Sequence, residues 1–114
     1  MRIIEEPIRK DELAGSSSNF IDKNVIKGVV DVARGLLAVD APMHYDLEQL
    51  LLEDGSRQDD IWGINLYLDE VEWDDIVEYD SMINIRPAQN NRSRYVEDAG
   101  IRDKIKAVVA KWLK

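Results

Sequence analysis

The chain has 114 residues, of which 45% are hydrophobic and 33% charged, with no cysteine and a formal net charge of −8. That length sustains one hydrophobic core, and the composition is globular rather than disordered. A disulfide scaffold, a thiol nucleophile and a thiolate metal site are excluded, and apolar runs such as Leu50–Leu52 and Ala107–Ala110 fall far short of the ~20 residues of a membrane span.

Met1–Lys10 is charged where a signal peptide has its apolar core, so cytoplasmic residence is expected, with residues 1–114 as one domain. Charge is unevenly spread. Asp46–Asp80 holds thirteen acids and one base, whereas Arg86–Lys114 holds eight bases and three acids. An excess of acid argues against nucleic acid as a partner, because phosphate neutralisation needs Lys and Arg.

In chain order, Pro7 and Lys10–Leu13 predict a short helix ended by Gly15 and the serines that follow. The β-branched run Val25–Val32 and the segment Leu36–Val39, separated by Ala33-Arg34-Gly35, predict a β-hairpin. Met43, Leu47, Leu50 and Leu51 mark the apolar stripe of a helix that Gly55 closes, with Asp46 or Asp40 as its cap.

Alternation returns in Ile61–Leu68 and in Ile76–Arg86, predicting a second hairpin. Its apolar faces coincide only when paired residue numbers sum to an odd value, 143 or 145, and a sum of 145 sets Asn65 against Asp80. The reverse face, with Asn65, Tyr67, Asp80, Asn84 and Arg86, is then polar. Pro87 ends the strand, Gln89–Arg94 is a turn-rich loop, and Asp98 caps a last helix with the stripe Ile101, Ile105, Val108, Val109 and Trp112. The expected fold is α+β: a small antiparallel sheet of about four strands in two hairpins, with two to three helices packed on one face.

Five stretches carry a resemblance. They are His44-Tyr45-Asp46-Leu47-Glu48, Leu52-Glu53-Asp54-Gly55-Ser56-Arg57-Gln58, Asp60-Ile61-Trp62-Gly63-Ile64-Asn65-Leu66-Tyr67, Asp80-Ser81-Met82-Ile83-Asn84-Ile85-Arg86-Pro87 and Asn91-Arg92-Ser93. Together they resemble a family of short prokaryotic proteins catalogued only as a domain of unknown function. The resemblance spans residues 25–114 and implies no activity.

His44 is the only histidine, and its i, i+4 spacing to Glu48 suits a hydrogen bond as well as a shared ligand. No metal site is assigned and no cofactor is called for. The acidic stretch Asp69–Asp75, which contains Trp73, lacks the spacing of a calcium loop and reads as solvated. Ser56 as a nucleophile would need His44 as its base from a helix length away. The candidate binding residues are His44, Asn65, Tyr67, Asp80, Asn84, Arg86, Asn91 and Arg92; amides and carboxylates supply directed hydrogen bonds, and each arginine offers a planar donor fork. A helix packed on the apolar face would leave His44 at the rim of the sheet.

The expected function is a small protein-binding or regulatory module whose acidic surface meets a basic partner or a second copy of itself. The alternative is a small enzyme of hydrolase or nuclease type working through a polar Asn/Asp/His/Arg cleft; the residues leave open which. The last helix carries a structural expectation of its own. Ile105→Asp should cost several kcal/mol, as burial of an unpaired charge does, and an unchanged thermal unfolding midpoint would take that helix out of the core.

Overall fold

The computed structural model describes residues 1–114. The β-branched run becomes β3 (Val25–Asp31), joined to β4 (Leu36–Val39) by a turn in which Gly35 adopts φ +67°. Buried Asp31 builds that turn, its Oδ1 accepting from the backbone N–H of Ala33 at 2.8 Å and of Arg34 at 2.9 Å. This is the hairpin expected.

On the other side of β3 lies β5 (Ile61–Tyr67), antiparallel and in register over seven pairs from Val25↔Tyr67 to Asp31↔Ile61. The second hairpin expected from the sequence is largely absent. Only β6 (Val77–Glu78) pairs with β5, through Asn65↔Glu78 and Leu66↔Val77. Those pairs sum to 143, so Asn65 faces Glu78 and not Asp80. Beyond Glu78 the chain leaves the sheet and makes a 3-10 turn at Met82–Asn84.

Two further strands, β1 (Arg2–Ile3, against β4) and β2 (Phe20–Asp22, against the start of β3), are too short to show a period. The sheet therefore has six strands, all antiparallel, rather than about four. Asp40, at φ +70°, ends β4 and accepts at Oδ1 from the N–H groups of Ser18 and Asn19, both at 2.9 Å, so it ties β2 to β4 and does not cap a helix.

The helices also depart from the one-sided arrangement. One face of the sheet, with Ile26, Val30, Leu37, Trp62, Ile64 and Leu66, is covered by Leu13 of α1 (Lys10–Ser16) and by Ile105, Val108 and Val109 of α4 (Ala99–Trp112). On the opposite face Val29, Ala38 and Ile61 pack against Leu47 and Leu51 of α2 (His44–Glu53). Asp46 accepts from the Met43 N–H at 3.2 Å and so closes the first turn of α2 from within. A single turn, α3 (Trp73–Ile76), lies inside the acidic stretch read as a loop, and Trp73 packs against the main core. No helix is long and apolar enough to cross a membrane.

Two devices finish the fold. Ile8 pairs in parallel with Leu113, the Ile8 N–H donating to the Trp112 carbonyl and the Lys114 N–H to the Ile8 carbonyl, each at 2.8 Å. At the edge of β5 a side chain takes the place of a strand: Asn84 Oδ1 accepts from the Gly63 N–H at 2.8 Å, while Asn84 Nδ2 donates to the Gly63 carbonyl at 2.9 Å and the Arg94 carbonyl at 3.0 Å. The exchange needs the chain to run hard against Gly63. A Cβ placed there would lie 2.5 Å from both Cβ and Oγ of Ser81 and 3.0 Å from Ile83 Cγ1. Gly63→Ala should therefore lower stability by about 1–3 kcal/mol, the usual cost of overpacking. Gly28→Ala, whose Cβ would meet only side-chain carbons at 3.4 Å or more, should cost less; equal denaturation midpoints for the two variants would refute the close approach.

Candidate functional site

Because α2 packs on the face that the sequence left to solvent, its first residue hangs over β5. His44 Nε2 donates to the Ile64 carbonyl at 2.7 Å, which fixes the proton on that nitrogen since a carbonyl only accepts. Burial pushes the imidazole pKa down, and the Lys27 ammonium adds to this; the Ile64 carbonyl, Asp80 and Asn65 oppose it. The ring is thus neutral at neutral pH.

Beneath it a row of side chains crosses three strands: Lys27 on β3, Asn65 on β5 and Glu78 on β6 are cross-strand neighbours. Asn65 is 7% exposed. Its Nδ2 donates to Glu78 Oε1 at 2.8 Å and to the Asp80 carbonyl at 3.4 Å, which sets the amide's orientation. The Asn65 Oδ1 atom is buried without a hydrogen-bond partner. Lys27 takes part in none of the ion pairs, whereas Asp80 Oδ1 accepts from Arg94 Nε at 2.7 Å.

These groups line a cleft of about 530 Å³, together with Ser81 and Ile83. Around its mouth stand Ile21, Met43, Tyr45 and Met82, between 49% and 65% exposed. Polar groups at the floor and apolar groups at the mouth give a site that can grip a polar head and cover it with a nonpolar surface.

Of the eight sequence candidates, His44, Asn65 and Asp80 meet in this cleft. Tyr67 lies just outside, its hydroxyl donating to Glu78 Oε2 at 3.2 Å along a broader neighbouring groove of about 1130 Å³ that shares Glu78, Asp80 and Arg94 with the cleft. Three others are spent on the backbone. Asn84 holds Gly63, as described. Asn91 Nδ2 donates to the carbonyls of Asn84 and Tyr95, both at 2.7 Å, and Asn91 Oδ1 accepts from the Glu97 N–H at 2.8 Å.

Arg86 donates to the carbonyls of Gln58, Ile61 and Ile83, with its guanidinium 4.1 Å over the Trp62 ring. Glu48, which shares the helix face of His44, is buried, and that burial raises its pKa against the opposing pull of Arg86 and Gln58; the pair therefore serves two different neighbourhoods. The Arg92 side chain is exposed, and only its backbone N–H is engaged, with Glu97 Oε2 at 2.8 Å. Ser56 Oγ donates to Asp31 at 2.6 Å and accepts from Arg34, which locks the β3–β4 turn to the end of α2.

Lys27, Glu78 and Arg94 escaped the sequence reading. Lys27 did leave a trace as the one charge in the run from Val25 to Val30, but its relation to Asn65 depends on the β3–β5 pairing.

A family model described as "Protein of unknown function (DUF5674)" matches residues 2–112, and the chain belongs to that family. No curated protein and no solved structure matches.

The buried imidazole has a stability signature. Its folded pKa lies below the unfolded value of about 6.5, so on acidification the unfolded chain takes up a proton that the folded chain resists, and stability is lost as pH falls through that range. Glu48, with its pKa raised, acts in the opposite sense. The contrast to measure is wild type against His44→Gln: between pH 8 and pH 5.5 the wild type should lose more stability than the variant, and parallel curves would contradict the buried neutral ring.

Proposed function

We propose that this member of the family is a small binding module, protein-binding or regulatory in role, with its partner seated on the mouth of the His44–Asn65–Asp80 cleft. One observation carries the reading. Nine large hydrophobic side chains are exposed on the whole surface, and four of them, Ile21, Met43, Tyr45 and Met82, ring this single concavity. Exposed apolar residues scattered singly need no explanation, whereas a cluster around a concave site is costly to leave in water and is the mark of a surface that gets covered. The adjoining groove, which shares Glu78, Asp80 and Arg94 with the cleft, is lined by six carboxylates against the three bases Arg94, Arg102 and Lys106, so a partner with basic residues flanking its apolar contact is the complementary one.

A second reading, a small hydrolase, has one observation in its favour: a neutral imidazole stands in the same cleft as a carboxylate and an arginine, the ingredients of proton transfer and anion stabilisation. His44→Gln, which keeps a side-chain donor for the Ile64 carbonyl but no titratable ring, would abolish turnover under that reading and spare partner binding under the first.

The test of the module is a photo-crosslinking residue placed at Tyr45 or Met82, with Lys104 on α4 at the opposite face as the control position. Discrete crosslinked species are expected from the first two positions only, joined to a segment rich in Lys or Arg, or of doubled mass if the partner is a second copy. With the probe at Tyr45, Met43→Ser with Met82→Ser should reduce the yield about tenfold without lowering the unfolding midpoint, since serine at the start of α2 is a favourable cap. Equal products from position 104, or none from the mouth, would overturn the reading.

A further inference from the structure

We propose that the cleft holds a free α-amino acid in its zwitterionic form, with the ammonium at the Asn65–Glu78–Asp80 side, the carboxylate at Lys27 and an apolar side chain toward Met43 and Met82. The inference rests on the reading of this cleft as a binding site and specifies what enters it.

Charge decides the class of ligand. Lys27 and Arg94 balance Glu78 and Asp80, so with a neutral His44 the cleft carries no net formal charge, and a lone anion or cation would lose its hydration without matching compensation. The charges are nevertheless separated in space. Lys27 stands on β3 and Glu78 two strands away on β6, with Asn65 between them, so the row presents a positive end and a negative end. A dipolar ligand is complementary to such a row in one orientation only.

Asn65 fixes which end goes where. Its buried Oδ1 has no partner, and only a donor can satisfy it. A carboxylate offers no donor. An ammonium offers three, enough for Asn65 Oδ1 and for the carboxylates of Glu78 and Asp80, each of which keeps free lone pairs beside its existing bonds. The carboxylate then falls to Lys27, the one cation of the cleft outside any ion pair, next to the first turn of α2, where the helix dipole also favours negative charge.

Size and lining supply the rest. A volume of about 530 Å³ exceeds what a charged head group fills, and the walls beyond it are Met43, Met82 and Ile83, two of them flexible thioethers that adapt to an aliphatic chain. Leucine and methionine are accordingly the probes of choice. An amino acid seated under the apolar mouth would change the surface offered to a protein partner, which makes it an effector of the module.

The experiment titrates the full chain with L-leucine and L-methionine, following backbone amide shifts and heats of binding, and repeats the titration with N-acetyl-leucine, which lacks the ammonium, and leucinamide, which lacks the carboxylate. Saturable binding with shifts at Lys27, Asn65 and Met82 is expected, weakened about tenfold or more by either block, since each removes a charge-assisted hydrogen bond. Lys27→Met, a half-buried position whose loss leaves the fold intact, should bind leucine and leucinamide equally; Asn65→Leu should no longer distinguish leucine from its acetylated form. Blocked forms that bind as well as leucine, or an absence of shifts at millimolar leucine, would overturn the proposal. Crosslinks from the mouth without leucine binding would defeat this inference alone, and leucine binding without those crosslinks would defeat the module instead.

Discussion

The pairing of one side-chain amide with one glycine governs what lies beyond the edge of β5. An antiparallel strand offers its neighbour alternating N–H and C=O groups, and a buried edge must find partners for them. Here β6 is only two residues long, and Asn84 presents an acceptor and a donor at the spacing a neighbouring strand would, while Arg86 caps the Ile61 carbonyl. The arrangement leaves the backbone of residues 79–86 free to do something other than pair. It bends, and Asp80, Ser81, Met82 and Ile83 become a wall of the cleft in place of rungs of a ladder. Asn91 extends the same logic by tying its amide to the Asn84 and Tyr95 carbonyls, which holds the Arg94 segment beside Asp80.

The opposite wall comes from α2. Had all the helices packed on one side, His44 would have pointed along the sheet margin. Because α2 covers Val29, Ala38 and Ile61 on its own face, the imidazole drops onto the Ile64 carbonyl directly above Asn65. The sheet is then a floor shared by two functions: its α4 side is dry core, and its α2 side is core at one end and cleft at the other.

Local pattern was readable where local physics dominates. The β3–β4 hairpin, α2, β5 and α4 all follow from periodicity and turn residues, and in the turn-rich loop Asn90 takes the left-handed conformation (φ 59°) that asparagine tolerates. What escaped is non-local. The alternation of Ile76–Arg86 is real, yet it reflects Ile76, Val77 and Ser81 meeting the core and the sheet edge at irregular intervals around a 3-10 turn, so a period of two misled. The same holds for the site: Asn65, Asp80 and His44 are legible as polar residues in unusual places, but Lys27 and Arg94 join them only through strand pairing and loop tethering that no window of sequence contains. Asn84, Arg86 and Asn91 looked equally suited to a ligand, and only their hydrogen-bond partners show that the backbone already occupies them.

The short parallel pairing of Ile8 with Leu113 leaves the molecule almost a ring. Residues 105 positions apart in the chain lie side by side, so this one contact closes nearly the whole chain into a loop and carries the closure entropy of that length. Once it has formed, α1 and the end of α4 hold each other in place across the core face of the sheet. The cleft lies on the far face, away from this clasp, so fraying of the C-terminal end would loosen the dry side of the protein before the geometry around Asn65.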